Sequence, residues 1–272
     1  MKFIARYILI LVIALSSVYI TNRVIDYKRE INQLESFQIS AKEKSSKMLS
    51  PVVRLTFLIP NVDVDENEGP DPADSPMDIS MTTATGFSIE YNARSNVSLI
   101  ITNAHFCDII ETRDDTVLVT ENSETLRSEM PSQSGYASNV LYIDPYLDLC
   151  LVEAFGFVRP AILAEIDYDI QDFEKVYVVG SPSGVLPIII DTYISAAVDR
   201  RDVKLGRMNQ RGMPYIMMSE QVFPGHSGSP IYNQNGEVIG VTFASLSSYG
   251  GLGISVRDLY TFLQDYEAII SR

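Results

Sequence analysis

Ser227 stands in the stretch Gly225-His226-Ser227-Gly228-Ser229-Pro230. Glycine on either side permits backbone bends that a side chain would forbid, so the stretch reads as a tight turn presenting one hydroxyl. Such a turn aims the amide N–H groups of Gly225 and Ser227 at one point. Negative charge would develop there on an oxygen if Ser227 attacked a carbonyl. Gly, Ser and Pro are also ordinary turn residues, so by itself the stretch reads equally as a surface turn. A serine nucleophile needs a base, and the base needs an orienting carboxylate. The chain has two histidines. His226 lies inside the turn, where adjacent side chains diverge, which favours His105 as the base. His105 closes the run Leu99-Ile100-Ile101-Thr102-Asn103-Ala104-His105, which reads as a buried strand delivering the imidazole at its end. The carboxylate candidate is Asp148, within the apolar run Tyr146-Leu147-Asp148-Leu149-Cys150-Leu151-Val152. A buried aspartate is costly unless partnered, and an imidazole N–H is such a partner.

The elements that must bring these residues together are short and rich in β-branched and aromatic residues. Strands are expected at 51–59, 82–90, 97–102, 116–120 and 137–143, then at 173–179, 186–197, 215–219 and 238–245. A turn-prone segment, 91–96, joins the second and third. Gly250-Gly251-Leu252-Gly253 marks a close backbone approach. Residues 257–271 place Leu259, Phe262 and Leu263, then Tyr266 and Ile269, at helical spacing. Many short strands with turn signals predict an all-β architecture with one C-terminal helix.

Thr-Asn-Ala-His, Asp-Leu-Cys-Leu-Val and Gly-His-Ser-Gly-Ser-Pro, in that order, resemble the trypsin/chymotrypsin superfamily of serine proteases. The HtrA-type branch is most similar. It writes these motifs Thr-Asn-x-His, Asp-Leu-Ala-Leu-Leu and Gly-Asn-Ser-Gly-Gly-Pro. Val179–Gly184 is similar to its Gly-Asn-Pro-x-Gly turn, and Gly236–Val241 followed by Gly253–Val256 agrees as well. The likeness covers roughly residues 50–270. It implies two six-stranded Greek-key barrels, at about 50–160 and 170–256. It also implies peptide-bond hydrolysis by Ser227, His105 and Asp148, with Gly225 and Ser227 as the oxyanion hole. The substrate pocket would be lined by Gln221, Val222 and Phe223 before the turn and by Thr242, Phe243 and Ala244 across from it. Gln221 is not an acid, so a preference for Lys or Arg is not expected; a small or medium apolar residue is. Trypsin-like zymogens carry aspartate where this chain has His226, and a histidine cannot pair with a newly cut N-terminus. Activation by cleavage is therefore not expected. No PDZ module is expected after the barrels.

At 272 residues and 46% hydrophobic content, the chain can build a sizeable core of one or two domains. Its net charge of −14 argues against binding nucleic acid through phosphates. Lys2 and Arg6 precede an apolar run at Tyr7–Ile20. Residues 1–22 thus read as a hydrophobic helix, either a retained signal-anchor or a cleaved signal. Either sends the rest outside the cytoplasm, membrane-anchored or secreted. Residues 23–48 read as a polar stalk and 49–272 as the protease domain. Asn61–Asp78, rich in acid and proline, reads as a solvated loop rather than a calcium site, and 121–136 as an extra surface loop. Cys107 and Cys150 each lie two residues past a triad candidate. They are either a disulfide or two buried thiols. No ligand cluster remains for a metal, and no cofactor is expected. Two rival functions stand beside general proteolysis: a catalytically silent membrane-tethered scaffold, and a processing protease restricted to itself or one partner.

Overall fold

The computed structural model describes residues 28–29, 41–60, 79–111, 117–122, 135–185, 187–198, 214–246 and 250–271. The chain divides into two compact units, Met1–Ser46 and Lys47–Arg272. In the first, residues 28–29 and 41–46 are described, and both stretches are helical. The hydrophobic segment expected at 1–22 and the acidic loop expected at 61–78 lie outside the described residues. Among those described, no helix is long and apolar enough to cross a membrane.

Among the described residues, the second unit has twelve strands. β1 (Val52–Pro60), β2 (Ile79–Asn92), β3 (Val97–Thr102), β4 (Val117–Asn122), β5 (Gly135–Asp144) and β6 (Leu149–Phe155) come first. β7 (Lys175–Gly180), β8 (Ile188–Val198), β9 (Tyr215–Met218), β10 (Pro230–Tyr232), β11 (Val238–Ser245) and β12 (Gly251–Ser255) follow. They close into two barrels, β1-β2-β3-β6-β5-β4 and β7-β8-β9-β12-β11-β10. The second order repeats the first, so one Greek-key plan is used twice. Closure leaves no open sheet edge.

The strands read as apolar runs because many are buried on both faces. Along β1, Val53, Leu55 and Phe57 fill the first barrel with Ile100, Leu118, Cys150 and Val152. The second barrel is filled by Val176, Val178, Ile194, Ile216, Met218, Ile231 and Ile239. Val52 and Ile101, one residue out of phase, join Leu149 and Leu151 in a third cluster. That cluster also takes Val179, Tyr215, Tyr232, Val241 and Ile254 from the second barrel. Strand alternation thus gives each barrel an interior and a shared seam.

Helix α1 (Ala104–Glu111) follows β3 directly, and helix α2 (Val256–Ile270) follows β12. The Ser255 hydroxyl accepts from the Asp258 N–H and caps α2. Val256, Leu259 and Phe262 are buried. Helix α1 is not among the elements expected from the sequence. Phe106 packs on Phe57 with ring centroids 4.3 Å apart, and Cys107 is buried, so the segment is pinned on one side to the first barrel. Of the surface loop expected at 121–136, residues 121–122 belong to β4 and 135–136 to β5, and 123–134 lie outside the described residues.

Candidate active site

The imidazole and the carboxylate come from the ends of neighbouring strands. Thr102 at the end of β3 pairs with Cys150 at the start of β6. His105 lies in the first turn of α1, just past β3. Asp148 lies in the turn before β6 rather than inside a strand, with a left-handed backbone at φ 57°. The Asp144 side chain shapes that turn by accepting from the N–H groups of Tyr146 and Leu147. The two segments are then tied three times. Asn103 Nδ2 donates to the Asp148 carbonyl (2.9 Å), and the His105 N–H donates to Asp148 Oδ1 (2.9 Å). Cys107 and Cys150 form a disulfide with Cα atoms 6.5 Å apart, so of the two alternatives for these cysteines the bridge is the one found.

His105 Nδ1 lies 2.8 Å from Asp148 Oδ2 and 3.0 Å from Oδ1, and its Nε2 lies 3.1 Å from Ser227 Oγ. Asp148 is buried, whereas half of the His105 side chain is exposed. Burial alone would lower the His105 pKa. The hydrogen bond and charge of Asp148, with a smaller contribution from Asp108, outweigh it and raise the pKa above the ordinary 6.5.

Ser227 is presented by a loop that backbone bonds hold on both sides. The Thr85 N–H donates to the Ser227 carbonyl (2.9 Å) and the Gly228 N–H to the Thr242 carbonyl (2.9 Å). The Thr85 hydroxyl donates to the Gly225 carbonyl (2.6 Å). Gly225 and Gly228 have φ of 96° and 82°. A Cβ at Gly225 would lie 2.5 Å from the Ser181 carbonyl oxygen, and one at Gly228 2.0 Å from that of Thr85. Both glycines are therefore demanded by conformation and by space. Among the described residues, the amide N–H groups of Gly225 and Ser227 have no acceptor.

His226 turns away from this line. Its Nδ1 lies 3.2 Å from both the N–H nitrogen and the carbonyl oxygen of Phe223, and its Nε2 is buried with no partner among the described residues. Burial lowers its pKa, opposed by the Phe223 backbone bond. The residues expected to line a substrate pocket separate. Gln221 and Phe223 are exposed and Val222 and Ala244 half-buried. Thr242 and Phe243 are buried, with the Phe243 ring 4.7 Å from that of Tyr215 in the seam between the barrels. Phe243 is thus core rather than pocket wall. Thr85 and Asn103 were not singled out from sequence. Asn103 had a signal, its place in Thr-Asn-Ala-His; Thr85 had none, because its contacts arise from strand register.

A cavity of about 350 Å³ beside Tyr168, Tyr215 and Arg257 is lined by none of the residues expected for the catalytic site or the substrate pocket. No group of three or more His, Cys, Asp or Glu is placed to hold a metal ion among the described residues.

The family model for the trypsin-like peptidase domain matches residues 84–241. Serine protease HTRA4 of Mus musculus is 27% identical over 190 residues, 70% of this chain and 35% of that protein. Serine protease HTRA1 of Xenopus tropicalis is 27% identical over 189 residues, 69% of this chain and 37% of that protein. The putative serine protease HhoB of Synechocystis is 26% identical over 174 residues, 64% and 37% respectively. The chain thus spans little more than a third of the length of these relatives.

Proposed function

The chain belongs to the trypsin-like peptidase domain family, and from that premise we propose that it is an HtrA-like serine endopeptidase acting through Ser227, His105 and Asp148. The observation that carries this reading is the unbroken line Asp148–His105–Ser227, with contacts of 2.8 and 3.1 Å. In the proposed reaction, Ser227 Oγ attacks a peptide carbonyl while His105 Nε2 takes its proton. Asp148 holds Nδ1–H in place and stabilises the imidazolium. The unpaired amides of Gly225 and Ser227 receive the oxyanion, a contribution of roughly 3 kcal/mol per donor in other enzymes. His105 then protonates the leaving amine, an acyl group stays on Ser227, and water attacks it with His105 again as base.

Substrates on this reading are proteins or peptides. The Cys107–Cys150 disulfide supports an exported location, since such bonds persist in oxidising compartments. The apolar run at Tyr7–Ile20 supports attachment to a membrane. Extraction of the full chain from membranes by alkaline carbonate tests the attachment; release into the soluble fraction would remove it. Fluorophosphonate labelling of the full chain tests the chemistry. Wild type is expected to label, and Ser227→Ala and His105→Ala are expected not to. A folded wild type that does not label would return the chain to the silent-scaffold reading.

A further inference from the structure

A row of three polar residues crosses the first barrel beside the nucleophile loop. Arg54 on β1 pairs in register with Thr85 on β2 and with Glu121 on β4. Directly paired residues project to the same side of a sheet. Val53 and Leu55, the neighbours of Arg54, fill the barrel, so this row faces outward. Glu121 Oε2 accepts from Arg54 Nε and Nη2, each at 2.7 Å. Arg54 Nη1 donates to the Gly184 carbonyl. Thr85 Oγ1 accepts from the Ser181 N–H at 2.9 Å. The row therefore grips the turn Ser181–Gly184 at both ends.

That turn in turn holds Gly225. The Ser183 N–H donates to the Pro224 carbonyl at 2.7 Å. The N–H and C=O of a trans peptide point in opposite directions. Drawing the Pro224 carbonyl toward Ser183 therefore points the Gly225 N–H away from the turn. Ser183 makes this bond from a left-handed backbone, φ 51°, which a non-glycine residue seldom adopts unaided. Gly184 lies close against Thr83, and a cavity of about 320 Å³ lined by Ser183, Gly184, Thr56 and Val119 opens beside the turn, so the polar contacts share in fixing it.

We propose that Arg54, locked by Glu121, is a positioning residue for the oxyanion donor Gly225, acting across the barrels through the Ser181–Gly184 turn. The assignment rests on the peptidase reading above. Arg54 itself touches no reacting atom.

The test uses the full chain and three variants. Arg54→Met keeps the aliphatic stem and loses the donors; Glu121→Ala frees the guanidinium; Glu121→Gln keeps an acceptor. Two quantities are read, the rate of Ser227 labelling by a fluorophosphonate and the hydrogen exchange of peptides covering 181–185 and 223–228. Arg54→Met is expected to label roughly 10-fold more slowly or worse, within the roughly 10²–10³ that outright loss of one oxyanion donor costs. Faster exchange should be confined to those two peptides. Glu121→Ala should follow it, and Glu121→Gln should restore most of the rate. On labelled casein, kcat should fall with KM unchanged, as for an interaction made only in the transition state. Wild-type labelling by Arg54→Met, or exchange raised evenly over the whole first barrel, would overturn the assignment. An unlabelled wild type would overturn the peptidase reading, and this one with it.

Discussion

The proposed chemistry is concentrated in three side chains whose removal should be unequal. Ser227→Ala should lower kcat by about 10⁶-fold. Asp148→Asn should lower it by about 10⁴-fold, by allowing the wrong imidazole tautomer. Hydrolysis of labelled casein reads both. Only neutral His105 can act as base, and its pKa is raised above the ordinary 6.5, so kcat/KM should climb above pH 6.5 rather than below it. Stability moves oppositely. A raised pKa means that the His105–Asp148 contribution is complete below about pH 6.5 and is lost as pH rises through the folded-state value. His226, shifted down by burial, contributes stability above 6.5 that is lost on acidification through its own lower pKa. Its protonation places a buried charge in the Ser227 loop, with no acceptor for Nε2–H among the described residues. The acid limb of log kcat/KM should therefore steepen from a slope of one to two at low pH, and His226→Asn should hold it at one. Ser227, His105 and Asp148 were legible in the sequence because the proposed chemistry demands their types, while their order along the chain was read from the family resemblance. Thr85 and Arg54 were not, since nothing marks them until strand pairing places them beside one another.

The elements divide the work between precision and support. Antiparallel β3 and β6 bring Thr-Asn-Ala-His beside Asp-Leu-Cys, and the disulfide fixes α1 to β6 at that point. With a sequence separation of 43 between the cysteines, chain entropy alone gives the bond about 4 kcal/mol. Cys107→Ala/Cys150→Ala should lower the thermal midpoint accordingly, and should also depress kcat because His105 and Asp148 flank the bond. An unchanged kcat would leave the bridge a purely structural clamp. Helix α2 leaves the second barrel and lays Phe262 against Tyr142 of β5, with ring centroids 5.0 Å apart. Phe262→Ala should cost about 3–5 kcal/mol in denaturant unfolding. The strand runs could be read from sequence because burial on both faces makes them continuously apolar. Helix α1 could not, because eight residues give too few turns for a helical period to stand out.

Across the whole second unit, each barrel has its own interior, but the two also share a third core. The cluster containing Val52, Ile101, Leu151, Val179, Tyr232 and Ile254 is common to both, and α2 adds Leu259 and Phe262 to it. Neither barrel can open this seam without exposing apolar surface on the other. Denaturant unfolding of this unit should therefore be one transition, with tyrosine fluorescence (the chain has no tryptophan) and circular dichroism coincident. Two separated steps would show that each barrel is stable alone. The all-β class was visible in the spacing of strands and turns, whereas the number of barrels rested on resemblance, since closure depends on pairings far apart in the chain. Those distant pairings also set an order of events during synthesis. The segments bearing His105 and Asp148 leave the ribosome well before Ser227, whose loop is held by Thr85 from the first barrel and Thr242 on β11. On the proposed reading, a nascent chain is harmless to itself and its neighbours, and completion of the second barrel is the event that arms it.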